Sequence, residues 1–354
     1  MRVAVVILNW NGKEYLKQFL PSVITHSHRI ADIVVVDNGS HDDSVSFIQT
    51  NFKEVKIIRF PENLGFAQGY NDALQQLDYE YYVLLNSDVE VTPEWIEPLI
   101  ELLDNDPTVA ACQPKIKSYT HREKFEYAGA SGGYIDKYGY PFCRGRIFNT
   151  VEEDKGQYDD SKEVFWASGA CMVIRANVFN ESGGFDNDFF AHMEEIDLCW
   201  RWKNMGYKIM VCPRSTVYHI GGGTLSKTNP QKTYLNFRNS ITLLLKNVPA
   251  YRLMFVIASR ILLDSLAGLK FAFEGHFADY VSVMKAYAYV VVHLRHTFKK
   301  RKEIIHKVRT PNITGVLQKN IVLLYYVRRK KTFSEIKAFI SLSHTAGLKT
   351  SGVF

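Results

Sequence analysis

The sequence predicts an α/β fold: a mostly parallel sheet flanked by helices, with a helical extension on its C-terminal side. Three observations lead there. Short, β-branched apolar runs alternate with segments of helical period from Val3 to about Asn247, the pattern that gives βαβ units and parallel strands. Polar clusters follow those runs at Asn9, Asp37, Asn63 and Asn86-Ser87-Asp88. Right-handed crossovers bring such clusters to one sheet edge, where ligands of open α/β sheets collect. Beyond Asn247 the pattern gives way to long apolar stretches interrupted by charges.

Taken in order, Val3 to Leu8 is an unbroken apolar run, as expected of a strand covered on both faces. Tyr15, Leu16, Phe19, Leu20, Val23 and Ile24 then fall at helical spacing. Ile30 to Val36 is the second strand, and His41 to Phe52 a short helix capped by Ser40 or Asp42. Val55 to Phe60 is the third strand, Phe66 to Leu77 a helix, and Tyr81 to Leu85 the central strand. Pro93 is placed to open the next helix, where its missing N–H costs nothing. Val109 to Cys112 begins another strand, and the Gly- and Tyr-rich segment 115–162 reads as loops and short strands over the site. Cys171 to Ile174 is a strand and Phe189 to Trp202 a helix, with Glu194, Asp197 and Arg201 on one face and Glu195 turned away. An acidic first turn matched to the helix dipole, with Asp197 paired to Arg201, accounts for Asp197 better than for Glu195. Lys208 to Cys212 and Ser215 to Ile220 are two short strands, and Gly221-Gly222-Gly223 suits a mobile loop that closes over a substrate.

At 354 residues, 46% hydrophobic and 23% charged, the chain can hold more than one unit. The change of character divides it into 1–247 and 248–354. Five scattered cysteines with no Cys-x-x-Cys argue against a disulfide framework or zinc site. With a strand from Arg2 and no signal-peptide layout, the expectation is a cytoplasmic protein. Eleven Lys or Arg lie between Lys299 and Lys331 against Glu303 alone, which suggests an anionic partner. The neighbouring apolar stretches, Tyr251 to Phe273 and Phe277 to Leu294, carry too many charges to cross a bilayer. Two readings stay open for them: amphipathic helices on an anionic membrane surface, or a helical bundle with an oligomer interface. Nucleic acid is not an expected partner.

Neither the dinucleotide fingerprint nor the P-loop is present. A nucleotide here would be held by side chains such as Asp37, with a metal on its diphosphate. Asp88, just past the central strand, is either a turn residue or a ligand for a hard divalent cation.

These motifs, in this order, resemble the family 2 glycosyltransferases, of GT-A fold and inverting, over roughly Val3 to Asn247. The similarity is greatest to the branch with rhamnosyltransferases and galactofuranosyltransferases of surface polysaccharides. Val34-Val35-Val36-Asp37-Asn38-Gly39-Ser40 resembles the nucleotide motif whose Asp meets base or ribose, and Glu62-Asn63-Leu64-Gly65-Phe66 the Asn-x-Gly element beside it. The resemblance implies nucleotide contacts from Asn9, Asp37, Asn63, Gly65 and Asn86. Leu84-Leu85-Asn86-Ser87-Asp88 resembles the Asp-x-Asp metal motif with Asn86 in the first Asp position, so a Mn²⁺ or Mg²⁺ falls to Asp88. Val217-Tyr218-His219 is similar to the strand whose His completes that site. Phe189 to Arg201 resembles the helix whose second acidic residue is the general base, which maps to Glu195, with Glu194 open as a sharer of the role or an acceptor contact. Trp166, Ser168 and Gly169 then face the acceptor. The implied reaction moves a sugar from a nucleoside-diphosphate donor, UDP- or dTDP-linked, to a hydroxyl of a glycan or lipid-linked acceptor, at the inner face of the cell membrane. An idle membrane-apposed scaffold and a sugar nucleotidyltransferase are the competing readings.

Overall fold

The computed structural model describes residues 1–221 and 229–341. The expected glycine-rich loop over 222–228 lies outside them. β1 (Val3–Asn9), β2 (Ala31–Asn38), β3 (Lys56–Phe60) and β4 (Tyr81–Asn86) pair in parallel in the order β4-β1-β2-β3, joined by α1 (Lys13–Ser27), α2 (Ser44–Asn51) and α3 (Gly65–Leu74). Their unbroken apolar runs are explained by two cores. Ala4, Val6, Val34 and Leu84 face Ala67, Tyr70 and Leu74 of α3 on one side of the sheet. Val5, Ile7, Val35 and Val83 face Leu16 and Leu20 of α1 on the other.

The chain continues through β5 (Val89–Val91), α4 (Glu97–Asn105) and β6 (Val109–Ser118). A small second sheet holds β7 (Gly133–Asp136), β8 (Pro141–Cys143), β9 (Arg146–Ile147) and β10 (Thr150–Val151). β11 (Lys162–Val164), β12 (Cys171–Arg175), α5 (Ala176–Ser182), α6 (Glu194–Asn204) and β13 (Lys208–His219) complete the main sheet, ordered β11-β13-β6-β12-β4-β1-β2-β3 with β5 on β13. β5, β11 and β12 run against the other six strands of that sheet. The carboxyl ends of β1, β2, β3 and β4 therefore share one edge, and their polar clusters with them.

Four local expectations are corrected. α2 starts at Ser44 rather than His41; the carboxylate at its mouth is Asp42's, whose Oδ1 accepts from the Ser44 N–H at 3.1 Å. α4 starts at Glu97, with Pro98 in its first turn, because Glu94 takes φ 55° and breaks the run that Pro93 would have opened. The two short strands predicted after Lys208 are one strand, β13, with an irregular register between Cys212 and Thr216. α6 starts at Glu194, since His192 and Met193 sit at φ 69° and 71° and keep 189–193 out of the helix.

α7 (Pro230–Asn247), α8 (Ala250–Phe273), α9 (Phe277–Val292) and α10 (Leu294–Ile305) follow, then β14 (Val316–Leu317), which pairs with β7. Ile241 and Leu244 share an apolar cluster with Val256 and Val290. Packing thus runs across residue 247. No described helix is long and apolar enough to cross a membrane.

Candidate active site

The pairing of β5 with β13 sets His219 opposite Val89, so the residue before Val89 meets the imidazole. Asp88 Oδ1 lies 3.1 Å from His219 Nε2, and Glu126 Oε1 lies 3.5 Å from His219 Nδ1; all three side chains are buried. Burial works against a charged imidazole, but the carboxylates of Asp88 and Glu126 outweigh it and hold His219 up to about 10. Burial likewise raises the Asp88 carboxyl, and the His219 charge overrides that, leaving it below its usual range. Glu126 had no signal in the sequence: it is a single Glu in a polar segment, brought in by a backbone pairing of its N–H to the Ile116 carbonyl.

The donor set fits a divalent cation. With its proton given up, the His219 nitrogen and the Asp88 oxygen beside it would offer the mixed O/N donor pair that divalent cations accept, and Glu126 adds a second carboxylate. Among the described residues no group of three ligating side chains closes a site by itself, so further ligands would come from a bound diphosphate or water.

At the ends of β1 and β2, Asn9 and Asp37 are buried. Asn9 Nδ2 donates to Ser40 Oγ at 3.3 Å, and Asp37 Oδ2 accepts from the Ser40 N–H at 3.3 Å, while Asn9 Oδ1 and Asp37 Oδ1 have no hydrogen-bond partner among the described residues. Asn86 is half-buried at the end of β4, its N–H donating to the Ala170 carbonyl at 3.0 Å. Two residues expected at the nucleotide serve the loop itself. Asn63 Oδ1 accepts from Asn38 Nδ2 at 3.0 Å and from the Gly65 N–H at 2.9 Å. Gly65 has φ 78° and would place a Cβ 2.6 Å from Phe190, so only glycine lets this turn press on the 189–193 loop. The Phe66 N–H donates to the Phe190 carbonyl at 2.7 Å across that contact.

That loop delivers Glu194 and Glu195. Asp197, behind them, is fully buried between Arg201 (2.9 Å), Lys246 (2.9 Å) and Asn247 Nδ2 (2.8 Å), as its structural reading expects. Burial pushes Glu195 up to about 7. Glu194 goes well above its usual range, through burial and then the neighbouring Glu195 charge. Burial thus holds both carboxyls toward their neutral forms, Glu194 buried and Glu195 half-buried. Glu126 and Glu195 flank Cys143: burial raises that thiol to about 11, and both carboxylates add to the effect. The linkage has a definite sign. Folding holds these protons more tightly than the unfolded chain does, so the pair costs nothing below pH 4.5 and destabilises progressively as pH rises from there through 7. Glu195→Gln is accordingly expected to melt higher than wild type at pH 8 and to lose that advantage at pH 5, read by thermal denaturation at the two pH values.

The three residues expected to face the acceptor, Trp166, Ser168 and Gly169, are packed into the protein. Trp166 is buried, its Nε1 donating to the Tyr134 carbonyl at 2.9 Å, and Ser168 Oγ donates to the Ala128 carbonyl at 2.7 Å. Gly169 is buried against Phe66. The side-chain polar groups of Trp166 and Ser168 are both engaged within the protein. A Cβ at Gly133 would fall 2.1 Å from the Trp166 ring, so Gly133→Ala should cost about 1–3 kcal/mol of stability. An unchanged melting temperature would mean that Trp166 is free to move. Arg238 of α7 donates to the Asp188 carbonyl at 2.9 Å and to Asn239 Oδ1 at 2.7 Å.

The arrangement is an α/β sheet edge lined by buried polar residues, with an Asp–His pair beside it and two carboxyl groups at a helix start. A family model, Glycosyl transferase family 2, matches residues 4–183, and the chain belongs to that family and is a glycosyltransferase. It is 24% identical over 229 residues to an N-acetylglucosaminyl-diphospho-decaprenol L-rhamnosyltransferase of Mycobacterium tuberculosis, covering 61% of this chain and 75% of that one. GalNAc-T7, solved with UDP, GalNAc and Mn²⁺, superposes with a TM-score of 0.58 at 19% identity, over 82% of this chain and 57% of its own. Staphylococcus aureus TarS 1–349, solved with UDP-GlcNAc, gives 0.55 at 15% identity, over 93% and 88%. Those two likenesses show the GT-A fold.

Proposed function

We propose that the protein is an inverting, metal-assisted glycosyltransferase that moves a sugar from a UDP- or dTDP-linked donor to a hydroxyl of a lipid-linked glycan at the inner face of the membrane. The observation that carries this reading is where the unsatisfied polarity lies. Of nine buried polar side-chain atoms without a hydrogen-bond partner among the described residues, five belong to Asn9, Asp37, Glu194, Glu195 and His219, the last of them ion-paired with Glu126 at 3.5 Å. Folded proteins leave few such atoms unpaired, and these line the edge and helix start where a charged, hydroxyl-rich ligand would meet them.

Asn9 and Asp37 hold the nucleoside, with the Asn63 and Gly65 turn fixing their neighbour loop. A divalent cation on Asp88 and His219 would supply positive charge against the diphosphate as it leaves. Glu195 takes the proton of the attacking hydroxyl, and Glu194 stays neutral behind it. Attack from the face opposite the diphosphate inverts the anomeric centre. The lipid-linked acceptor is supported by the name of the mycobacterial relative, a rhamnosyltransferase acting on a diphospho-decaprenol. Metal use is supported by the Mn²⁺ in the GalNAc-T7 structure. The test is incubation with UDP- and dTDP-sugars and a polyprenyl-diphosphate-linked sugar, followed by NMR of the product linkage. An anomer opposite to the donor's is expected; a retained anomer, or nucleotide release without a glycoside, would overturn the reading.

A further inference from the structure

α8 buries a charged pair and exposes much of its apolar surface. Arg260 is 2% exposed and Asp264 1%, locked to each other at 3.2 Å and to Ser240, Tyr140 and Tyr287, beside buried Leu253 and Val256. Most of its other large apolar residues face away, with Met254 82% and Phe273 88% exposed and Phe255, Leu262, Leu266 and Leu269 between them. A helix on the surface of a water-soluble protein does the reverse. α9, next to it in the hairpin, continues the face with Phe277, Met284 and Val292. The short π-helical turn Leu323–Val327 extends it further, for Lys270 at the end of α8 sits 5.8 Å over the ring of exposed Tyr326.

Lys270, Lys285, Arg328 and Arg329 are exposed on these same segments. Glu274, the acidic residue at the hairpin tip, is paired to Lys270 at 3.6 Å. Like charges beside the patch would confront their own copies across a two-fold axis, which disfavours a second copy of this chain as the cover. They complement anionic headgroups. Elsewhere on the molecule, exposed Tyr127 carries Arg146 at 4.3 Å over its ring, and Arg146 lies 3.5 Å from Cys143 Sγ.

We propose that the outer face of α8 and α9, with the Leu323–Val327 turn, docks the protein on an anionic lipid bilayer, its apolar side chains at the headgroup–acyl boundary and its basic residues among the headgroups. This rests on the reading of a lipid-linked acceptor and deepens it by naming the surface that meets the membrane carrying that acceptor.

The test is flotation of the full-length protein with vesicles of phosphatidylglycerol and phosphatidylcholine, against phosphatidylcholine alone. Wild type should float with the anionic vesicles. Combining Leu262→Glu, Leu266→Glu and Phe273→Glu should weaken binding at least about ten-fold, while transfer to a detergent-dispersed acceptor persists. Arg328→Glu with Arg329→Glu, which spares the apolar face, should weaken binding and flatten its salt dependence. Wild type left at the bottom of the gradient, or the triple variant floating equally well, would overturn the proposal. So would a concentration-dependent dimer that the triple variant dissolves in place of vesicle binding. In each case transfer to the dispersed acceptor reports on the active site separately.

Discussion

Glu195→Gln abolishes transfer and leaves donor binding intact: turnover should fall by about 10²–10⁴-fold, the usual contribution of a positioned base. The amide keeps the shape of the side chain and removes its ability to take a proton. The wild-type rate should rise with pH through the neighbourhood of 7 and then level, because the base works only when ionised and burial holds it up to about 7. Below that range activity falls as Glu195 takes up its proton. The variant's residual rate should lack this rise. Wild-type turnover in Glu195→Gln would move the base elsewhere, and the same substitution at Glu194 would then be the next one to make.

Asp88→Ala should remove the metal dependence of donor binding and lower turnover by about 10²-fold or more. The loss is large because the carboxylate sits 3.1 Å from His219 in a buried site, where a charge removed is not replaced by solvent. It also leaves His219 facing Glu126 alone. Donor affinity measured with Mn²⁺ and with EDTA decides the matter: the two values should converge in the variant and differ in wild type. An affinity unchanged from wild type under both conditions would remove Asp88 from the metal site.

The parallel strands and their polar ends were legible because a strand buried on both faces leaves an unbroken apolar run, as Tyr81 to Leu85 does, and the chain must turn polar where it leaves the core. The pairing of Asp88 with His219 was approachable only through the family motif, since 131 residues separate them and the β5–β13 ladder that joins them involves a three-residue strand, Val89–Val91. Glu126 was invisible for a related reason: nothing local distinguishes a carboxylate in a loop until tertiary pairing places it. Trp166 shows the opposite failure. An aromatic near a sugar site can stack on a ligand or fill the core, and only the glycine opposite it, Gly133, reveals which. In α8 the sequence displays two faces without saying which is inward. Arg260 and Asp264 looked like breaks in an apolar stretch, and they are instead the buried anchor of the helix.

The central claim is a metal-dependent nucleotide site at the carboxyl edge of β1, β2 and β4. Its most direct test is the thermal stability of the purified protein against a panel of nucleoside diphosphates, each with Mn²⁺, Mg²⁺ or EDTA. A ligand at a hundred times its Kd adds about 2.7 kcal/mol to the folded state, a shift readily seen in a melting curve. The account predicts stabilisation by UDP or dTDP that disappears in EDTA and in Asp88→Ala. Equal melting temperatures with every nucleotide and metal, or a shift that EDTA leaves untouched, would contradict it.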